Sequence, residues 1–175
     1  PRAMQTLLDP DYGAESFAAA AGNLLTIELE PRDFKNSIFE DAARVATQEA
    51  QRKAESQVFD AIEENLPEDS EDESEWNWTA LAHWSNTRWG TNYRDRDLKK
   101  IGRDMLDEQL IADARKAIDN VDLESCQRYL EPAYGVKTAC AWLHDKFGVE
   151  LSPDEMGELD AKEFTRLARE GATVV

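Results

Sequence analysis

The sequence predicts an all-α fold of three helix–loop–helix repeats, joined by a long helix and short acidic linkers. Three observations predict it: two superpositions of the chain on itself, an apolar stripe at helical spacing in each copy, and a long charged segment with a narrow apolar stripe. At 175 residues the chain has the length of one ordinary domain or of two small ones.

The repeats are visible as an ungapped superposition. Residues 8–34 lie over residues 130–156 at an offset of 122. The identical residues are Leu8, Pro10, Tyr12, Gly13, Ala19, Glu28, Leu29 and Pro31, which meet Leu130, Pro132, Tyr134, Gly135, Ala141, Glu150, Leu151 and Pro153. A more divergent middle copy fits at an offset of 58 from the last, with Trp76 over Tyr134, Trp84 over Trp142 and Gly90 over Gly148. The copies therefore begin near residues 8, 72 and 130.

Each copy opens with a stripe of apolar residues at helical spacing. The stripes are Ala14, Phe17, Ala18, Ala21 and Leu25; Trp78, Leu81, Ala82, Ser85 and Trp89; and Val136, Ala139, Cys140, Leu143 and Phe147. Gly90 and Gly148 follow their stripes directly, where a left-handed helix C-cap favours glycine. The first copy has Thr26 at that position, so we expect its helix to end differently.

A second, charged helix is predicted in each copy. The third copy starts it with Ser152 as N-cap, Pro153 at the first helical position and Glu155 two residues later, while Glu30–Asp33 is a weaker version of the same signal. The charged helices are predicted around Phe39–Asn65, Asp104–Asp119 and Ala161–Gly171, the first with a stripe of Val45, Ala46, Ala50, Ala54, Val58 and Ile62.

These elements divide the chain into four segments of one helical domain. Residues 1–66 hold the first repeat and the long helix, residues 67–75 are an acidic linker, residues 76–120 are the second repeat, and residues 121–175 are the third.

The charge of the chain restricts its partners. Asp and Glu number 37 against 20 Lys and Arg, for a formal net charge of −17. This balance disfavours a nucleic-acid or anionic-membrane surface spread over the whole chain, but leaves room for a local basic patch. No apolar run approaches the roughly 20 residues of a membrane span, and the N-terminus has no secretory signal. The chain begins with Pro1 rather than Met, and its two cysteines are typical of reduced thiols, so we expect a cytoplasmic fragment of a longer chain.

Enzymatic and metal-binding motifs are absent from the sequence. It has no P-loop and no G-x-G-x-x-G, and its two histidines, His83 and His144, stand in no recognisable signature. Cys140 and His144 are four residues apart on a predicted helix, with Cys126 elsewhere, which makes a poor zinc site. We therefore expect no catalytic residues, no cofactor and no metal in this chain.

One stretch of the second repeat is a candidate partner surface. Six cations, Arg88, Arg94, Arg96, Lys99, Lys100 and Arg103, lie close together with Trp84, Trp89 and Tyr93 among them. Such a set suits phosphate contacts and base stacking, or alternatively a counter-surface for the acidic linker and neighbouring helices. Trp78 and Trp89 lie on the apolar stripe and are predicted to be core, whereas Trp76 and Trp84 lie off it. The candidate surface is therefore Trp76, Trp84, Arg94, Arg96, Lys99 and Lys100.

The same stretch carries a family resemblance. Residues 54–104, with W-x-W-x-x-L-x-x-W from Trp76 to Trp84 and R-D-R-D-L-K-K from Arg94 to Lys100, resemble the helical wing and scaffold region of SecA, the motor of bacterial protein secretion. Residues 134–156, YGVKTACAWLHDKFGVELSPDEM, are similar to a later part of an enlarged wing found in some SecA proteins.

The resemblance implies a non-catalytic part of an ATP-driven translocase, which positions motor and preprotein-clamp elements. The implied partners are other SecA domains, the preprotein and the SecY channel, at the cytoplasmic face of the inner membrane. ATP and Mg²⁺ would bind motor domains outside this chain, and no residue here matches a catalytic position of the family. A free-standing helical-repeat protein-binding module is the alternative, and a nucleic-acid-binding domain is a less favoured one.

Overall fold

The computed structural model describes residues 11–70, 72–131 and 134–158, and all regular structure within them is helical. The α-helices are α1 (Tyr12–Leu25), α2 (Phe39–Asn65), α3 (Trp78–Trp89), α4 (Asp95–Ile101), α5 (Arg103–Asp119), α6 (Tyr134–Phe147) and α7 (Pro153–Glu158). Three 3-10 helices span Pro31–Phe34, Glu73–Glu75 and Glu124–Leu130. The all-α class is confirmed, whereas the repeat arrangement and the four segment boundaries stay predictions. Of the helices in this part of the chain, none combines the length and the apolar character needed to cross a membrane.

The chain divides into two compact units. Unit 1 comprises Pro1–Gly22, Glu28–Ala42 and Leu123–Val175, and unit 2 comprises Asn23–Ile27 and Ala43–Asp122. The helix predicted around residues 161–171, and residues 8–10 of the first copy, lie outside the described residues.

Unit 1 is held together by aromatic contacts between α1 and the elements around it. The buried ring of Phe17 packs against that of Phe34, with 5.0 Å between the centroids. The rings of Tyr12 and Tyr134 stack, with centroids 5.6 Å apart and planes inclined by 7°. Gly13 permits a close approach, because a Cβ there would lie 2.5 Å from the carbonyl oxygen of Tyr129.

Unit 2 packs two helices whose buried residues recur at steps of four. Helix α2 buries Ala46, Ala50, Ala54, Val58 and Ile62 of its predicted stripe, but Val45 is only half-buried. Helix α5 buries Leu106, Leu110, Ala114 and Ile118. Small alanine side chains let neighbouring helices approach closely. Helix α3 packs against α4 and α5, and buries Leu81, Ala82, Ser85 and Trp89.

The end of α1 corrects one prediction. Gly90 and Gly148 adopt the expected left-handed conformation, with φ of 69° and 64°. Thr26 adopts it too, with φ of 56°, so the first helix also ends at a left-handed residue. Its N–H donates to the carbonyl oxygen of Asn23, three residues back, whereas Gly90 and Gly148 each donate four residues back. A left-handed conformation costs an L-residue about 1–2 kcal/mol. Leu25 immediately precedes Thr26 and is only 3% exposed. We attribute the left-handed conformation of Thr26 to the packing of Leu25.

The stripes and helix starts differ from prediction in detail. Trp78 is half-buried rather than core, because it lies in the first turn of α3 beside Trp76. The third stripe is fully buried only at Ala139 and Leu143. The start at Ser152 is confirmed, since its backbone N–H donates to Glu155 Oε2 at 2.8 Å, whereas the weaker start at Glu30 produces only a 3-10 helix. Helix α4 was not predicted, because seven residues with mostly charged side chains carry little periodic signal.

Candidate partner surface

Trp76 closes the base of the acidic loop between α2 and α3. Its indole N–H donates to the carbonyl oxygen of Pro67 at 3.1 Å. The backbone N–H of the next residue, Asn77, donates to the carbonyl oxygen of Asn65 at 2.8 Å. The half-buried Trp76 ring meets Trp78 edge-on, with 5.9 Å between centroids. Trp76 is therefore held at a fixed position with part of its ring exposed.

Arg103 clamps the same loop from the start of α5. Its Nε donates to the carbonyl oxygen of Leu66 at 2.8 Å. Its two terminal nitrogens pair with Glu63 at 3.1 Å and Glu68 at 3.2 Å. The guanidinium also lies 6.0 Å from the centroid of the Trp76 ring. Arg103 thus binds the acidic linker and the neighbouring helix α2. This is the alternative role predicted for the basic stretch, a surface that neutralises the acidic linker and neighbouring helices.

Trp84 is half-buried and packs along its own helix. Its ring meets Trp89 edge-on, with centroids 6.3 Å apart. The residues at the matching positions of the third copy, Trp142 and Phe147, form a similar edge-on pair at 5.4 Å. Trp84 therefore has a structural contact, and only part of its surface remains for a partner.

The other ring of that pair, Trp89, is 8% exposed and carries an unsatisfied donor. Its indole N–H has no hydrogen-bond partner in the described chain. The guanidinium of Arg88 lies 4.1 Å from the centroid of its ring, a cation–π contact. Burial lowers the pKa of Arg88. Arg88, like Arg103, thus makes its contacts within unit 2.

Helix α4 and its N-cap residue Arg94 present the remaining cations to solvent. Arg94, Arg96, Lys99 and Lys100 are exposed. Lys99 Nζ lies 3.5 Å from Asp95, and the other acid of the helix, Asp97, accepts a hydrogen bond from the backbone N–H of Arg94 at 2.9 Å. Within the part of the chain that the structure describes, Arg94, Arg96 and Lys100 form no ion pair. Three cations thus remain available to a partner in a very acidic chain.

A polar network fixes the loop that leads into α4. Asn86 accepts at Oδ1 from the backbone N–H of Tyr93 at 2.8 Å and donates from Nδ2 to its carbonyl oxygen at 2.9 Å. The Tyr93 hydroxyl donates to Asp113 Oδ2 at 2.5 Å. Burial and the Asp113 carboxylate raise the pKa of Tyr93 to about 12. Sequence reasoning missed this network, because Asn and Tyr at this spacing match no motif.

The structure divides the six predicted surface residues into separate groups. No hydrogen bond, ion pair or ring contact among the described residues joins Trp76 or Trp84 to Arg94, Arg96, Lys99 or Lys100. That the six form a single partner surface stays a prediction.

Comparison with known proteins agrees with the resemblance seen in the sequence. Over 157 residues, which are 90% of this chain, it is 45% identical to the protein translocase subunit SecA 1 of Rhodopirellula baltica. The chain is related to a segment of SecA. It spans only 12% of the length of that SecA protein. No family model matches the chain, and no solved structure matches it significantly.

The two cysteines, Cys126 and Cys140, belong to unit 1. Cys126 is buried and Cys140 is half-buried in unit 1, where burial raises the pKa of the Cys140 thiol. Cys140 and His144 line one shallow groove with Glu155, whose carboxylate is already bonded to Ser152. Over residues 11–70, 72–131 and 134–158, no three His, Cys, Asp or Glu side chains are placed to hold a metal ion.

Proposed function

We propose that this chain is a non-catalytic helical region of a SecA-type protein translocase, corresponding to an enlarged helical wing. The observation that carries the proposal is the 45% identity to SecA 1 over 90% of the chain. The sequence contains no P-loop, so ATP and Mg²⁺ would bind motor domains elsewhere in a full-length translocase.

The proposed role is mechanical. Each compact unit is a packed helical body, and such a body transmits a displacement because close-packed cores move as rigid pieces. In a translocase such a body would bias how far the preprotein clamp opens. Its partners would be other SecA domains, the preprotein and the SecY channel, on the cytoplasmic side of the inner membrane.

The candidate surface supplies residues for such contacts. Trp76 is pinned by Pro67 and lies near Arg103, so its exposed part is preorganised for a partner. The cations of α4, with Arg94, Arg96 and Lys100 free of ion pairs in the described chain, suit a carboxylate-bearing partner domain.

ATP turnover tests the non-catalytic part of the proposal. We expect the isolated chain to hydrolyse no ATP above a buffer blank, with or without Mg²⁺. Robust turnover that survives repeated purification would refute it.

The mechanical role is tested in the full-length SecA 1 of Rhodopirellula baltica. Removing the region that matches this chain should leave basal ATP hydrolysis intact and change preprotein-stimulated hydrolysis. Alanine at the positions matching Arg96 and Lys100 should reproduce part of that change, and alanine at the position matching the exposed Lys137 should not. An unchanged stimulated rate after removal would contradict the role.

A further inference from the structure

The sequence around α4 is poor in carboxylates within an otherwise acidic chain. Asp and Glu account for 37 of the 175 residues, yet none lies between Trp76 and Arg94. From residue 76 to residue 103 the acids are Asp95 and Asp97 alone. Asp95 pairs with Lys99 at 3.5 Å, and Asp97 accepts a hydrogen bond from the backbone N–H of Arg94 at 2.9 Å. Both carboxylates of this stretch are therefore already engaged.

The buried side of α4 fixes the direction of its cations. Leu98, in the middle of the helix, is fully buried. Each residue of an α-helix is turned by about 100° from the one before it. Arg96, two residues before Leu98, and Lys100, two residues after it, therefore both lie about 160° around the helix axis from Leu98. The two exposed cations share the face opposite to the buried one, one turn apart.

This outward face of α4 carries positive charge that the fold leaves unneutralised. Within the described residues Arg96 and Lys100 form no ion pair, and neither does Arg94 at the start of the helix. Like charges four residues apart on a helix repel each other, so the pair of Arg96 and Lys100 is unfavourable for α4 by itself. Anions of a partner would neutralise both charges and remove this repulsion.

The size of the face and the charge of the chain select the kind of anion. Seven residues of helix are about 10 Å long, which suits one short segment of a partner. A nucleic acid or an anionic membrane is an extended array of phosphates, which would also meet the carboxylates that give the chain its net charge of −17. An acidic helix instead touches α4 locally, and glutamates four residues apart on it have the same spacing as Arg96 and Lys100.

We propose that the outward face of α4, formed by Arg96 and Lys100 with Arg94 at its end, docks an acidic helical segment whose carboxylates lie four residues apart. The proposal deepens the proposed function, on which it rests for the origin of that segment, a neighbouring domain of the translocase. The docking chemistry itself depends on unit 2 alone.

Titration of the isotope-labelled chain with helical peptides tests the docking site, because amide NMR shifts both detect weak binding and locate it. The probe is an alanine-based peptide with two glutamates four residues apart. In the comparison peptides the glutamates are two residues apart or are replaced by glutamines. We expect the shifts to be largest from Arg94 to Ile101, both comparison peptides to bind at least about threefold more weakly, and added salt to weaken binding.

Charge-removing variants identify the two cations. Arg96→Gln combined with Lys100→Gln should weaken binding about fivefold, and the circular dichroism should stay unchanged because both side chains are exposed. The control, Arg52→Gln combined with Lys137→Gln, removes the same charge from two exposed residues that already have carboxylate partners, and should leave binding unchanged. Arg96→Glu combined with Lys100→Glu should bind a peptide with lysines in place of the glutamates more tightly than the native chain does.

Several outcomes would overturn the proposal. They are absence of binding, equal binding of the two glutamate spacings, shifts centred outside α4, and an equal loss in the control and in the variant of Arg96 and Lys100. Displacement of the peptide by single-stranded DNA or by anionic lipid vesicles at lower concentration would also overturn it, since phosphate would then be the preferred anion. The ATP and deletion experiments are independent of these results, so failure of the docking site is distinguishable from failure of the proposed function.

Discussion

Replacement of Arg103 by alanine tests how the acidic loop is held. The side chain of Arg103 is 16% exposed, but its partners Glu63 and Glu68 are 57% and 75% exposed. Exposed ion pairs contribute about 0–1 kcal/mol each. The bond to the Leu66 carbonyl, at 2.8 Å, joins a charged donor to the end of α2 and is worth about 1.5–3 kcal/mol. We therefore expect Arg103→Ala to lower the free energy of unfolding by about 2–3 kcal/mol.

Tryptophan fluorescence during urea unfolding measures this loss, since four of the five tryptophans lie in unit 2. Glu68→Gln should cost less than about 1 kcal/mol, and the exposed control Arg96→Ala less than about 0.5 kcal/mol. Most of the Arg103→Ala effect should persist at high salt, because a carbonyl contact is screened less than an exposed ion pair. If Glu68→Gln alone reproduced the loss, or salt abolished it, the assignment to Leu66 would be wrong.

Three further substitutions have expected outcomes. Trp89→Phe should change the free energy of unfolding by less than about 1 kcal/mol. It removes a buried N–H that has no hydrogen-bond partner, and this gain offsets the apolar burial that the smaller ring loses. A loss above about 2 kcal/mol in denaturant unfolding would contradict this. Thr26→Gly should raise stability by about 0.5–1 kcal/mol by relieving the left-handed conformation, and a lower melting temperature would argue against it. The native protein should lose stability between pH 10 and about 12, and Tyr93→Phe should abolish that loss. The pKa of Tyr93 is raised in the folded state, so the Tyr93–Asp113 bond stabilises the fold below the unfolded pKa and is lost as the pH rises through the folded pKa. Parallel pH profiles of stability for the two proteins would refute this.

The longer helices of this chain were predictable because their signals are local, whereas the short helix α4 was not. Helix α2 follows from the period of its alanines, and the start of α7 follows from Ser152 and Glu155, whose contact spans three residues. Thr26 shows the limit of such reasoning. A threonine disfavours the left-handed conformation, yet Thr26 adopts it, and we attribute this to tertiary packing.

The candidate site was less predictable, because its contacts join distant residues. Arg103 lies with the other cations in the sequence, yet its three hydrogen bonds are made with residues 35 to 40 positions away. Nothing in the spacing of the sequence separates it from Arg96, which is exposed. The contact of Glu55 on α2 with Arg115 on α5 depends on the register of two helices, which sequence periodicity alone does not provide.

The stack of Tyr12 on Tyr134 has a consequence for how the chain can change. These tyrosines are matched by the internal superposition, so a residue meets its own counterpart, as at the axis of a symmetric dimer. In a dimer of identical subunits, one substitution alters both sides of such a contact at once. Here each side is encoded separately, so Tyr12 can be replaced while Tyr134 stays. Because the two matching positions lie in one chain, the constraint that a symmetric dimer places on one residue is divided here between two residues.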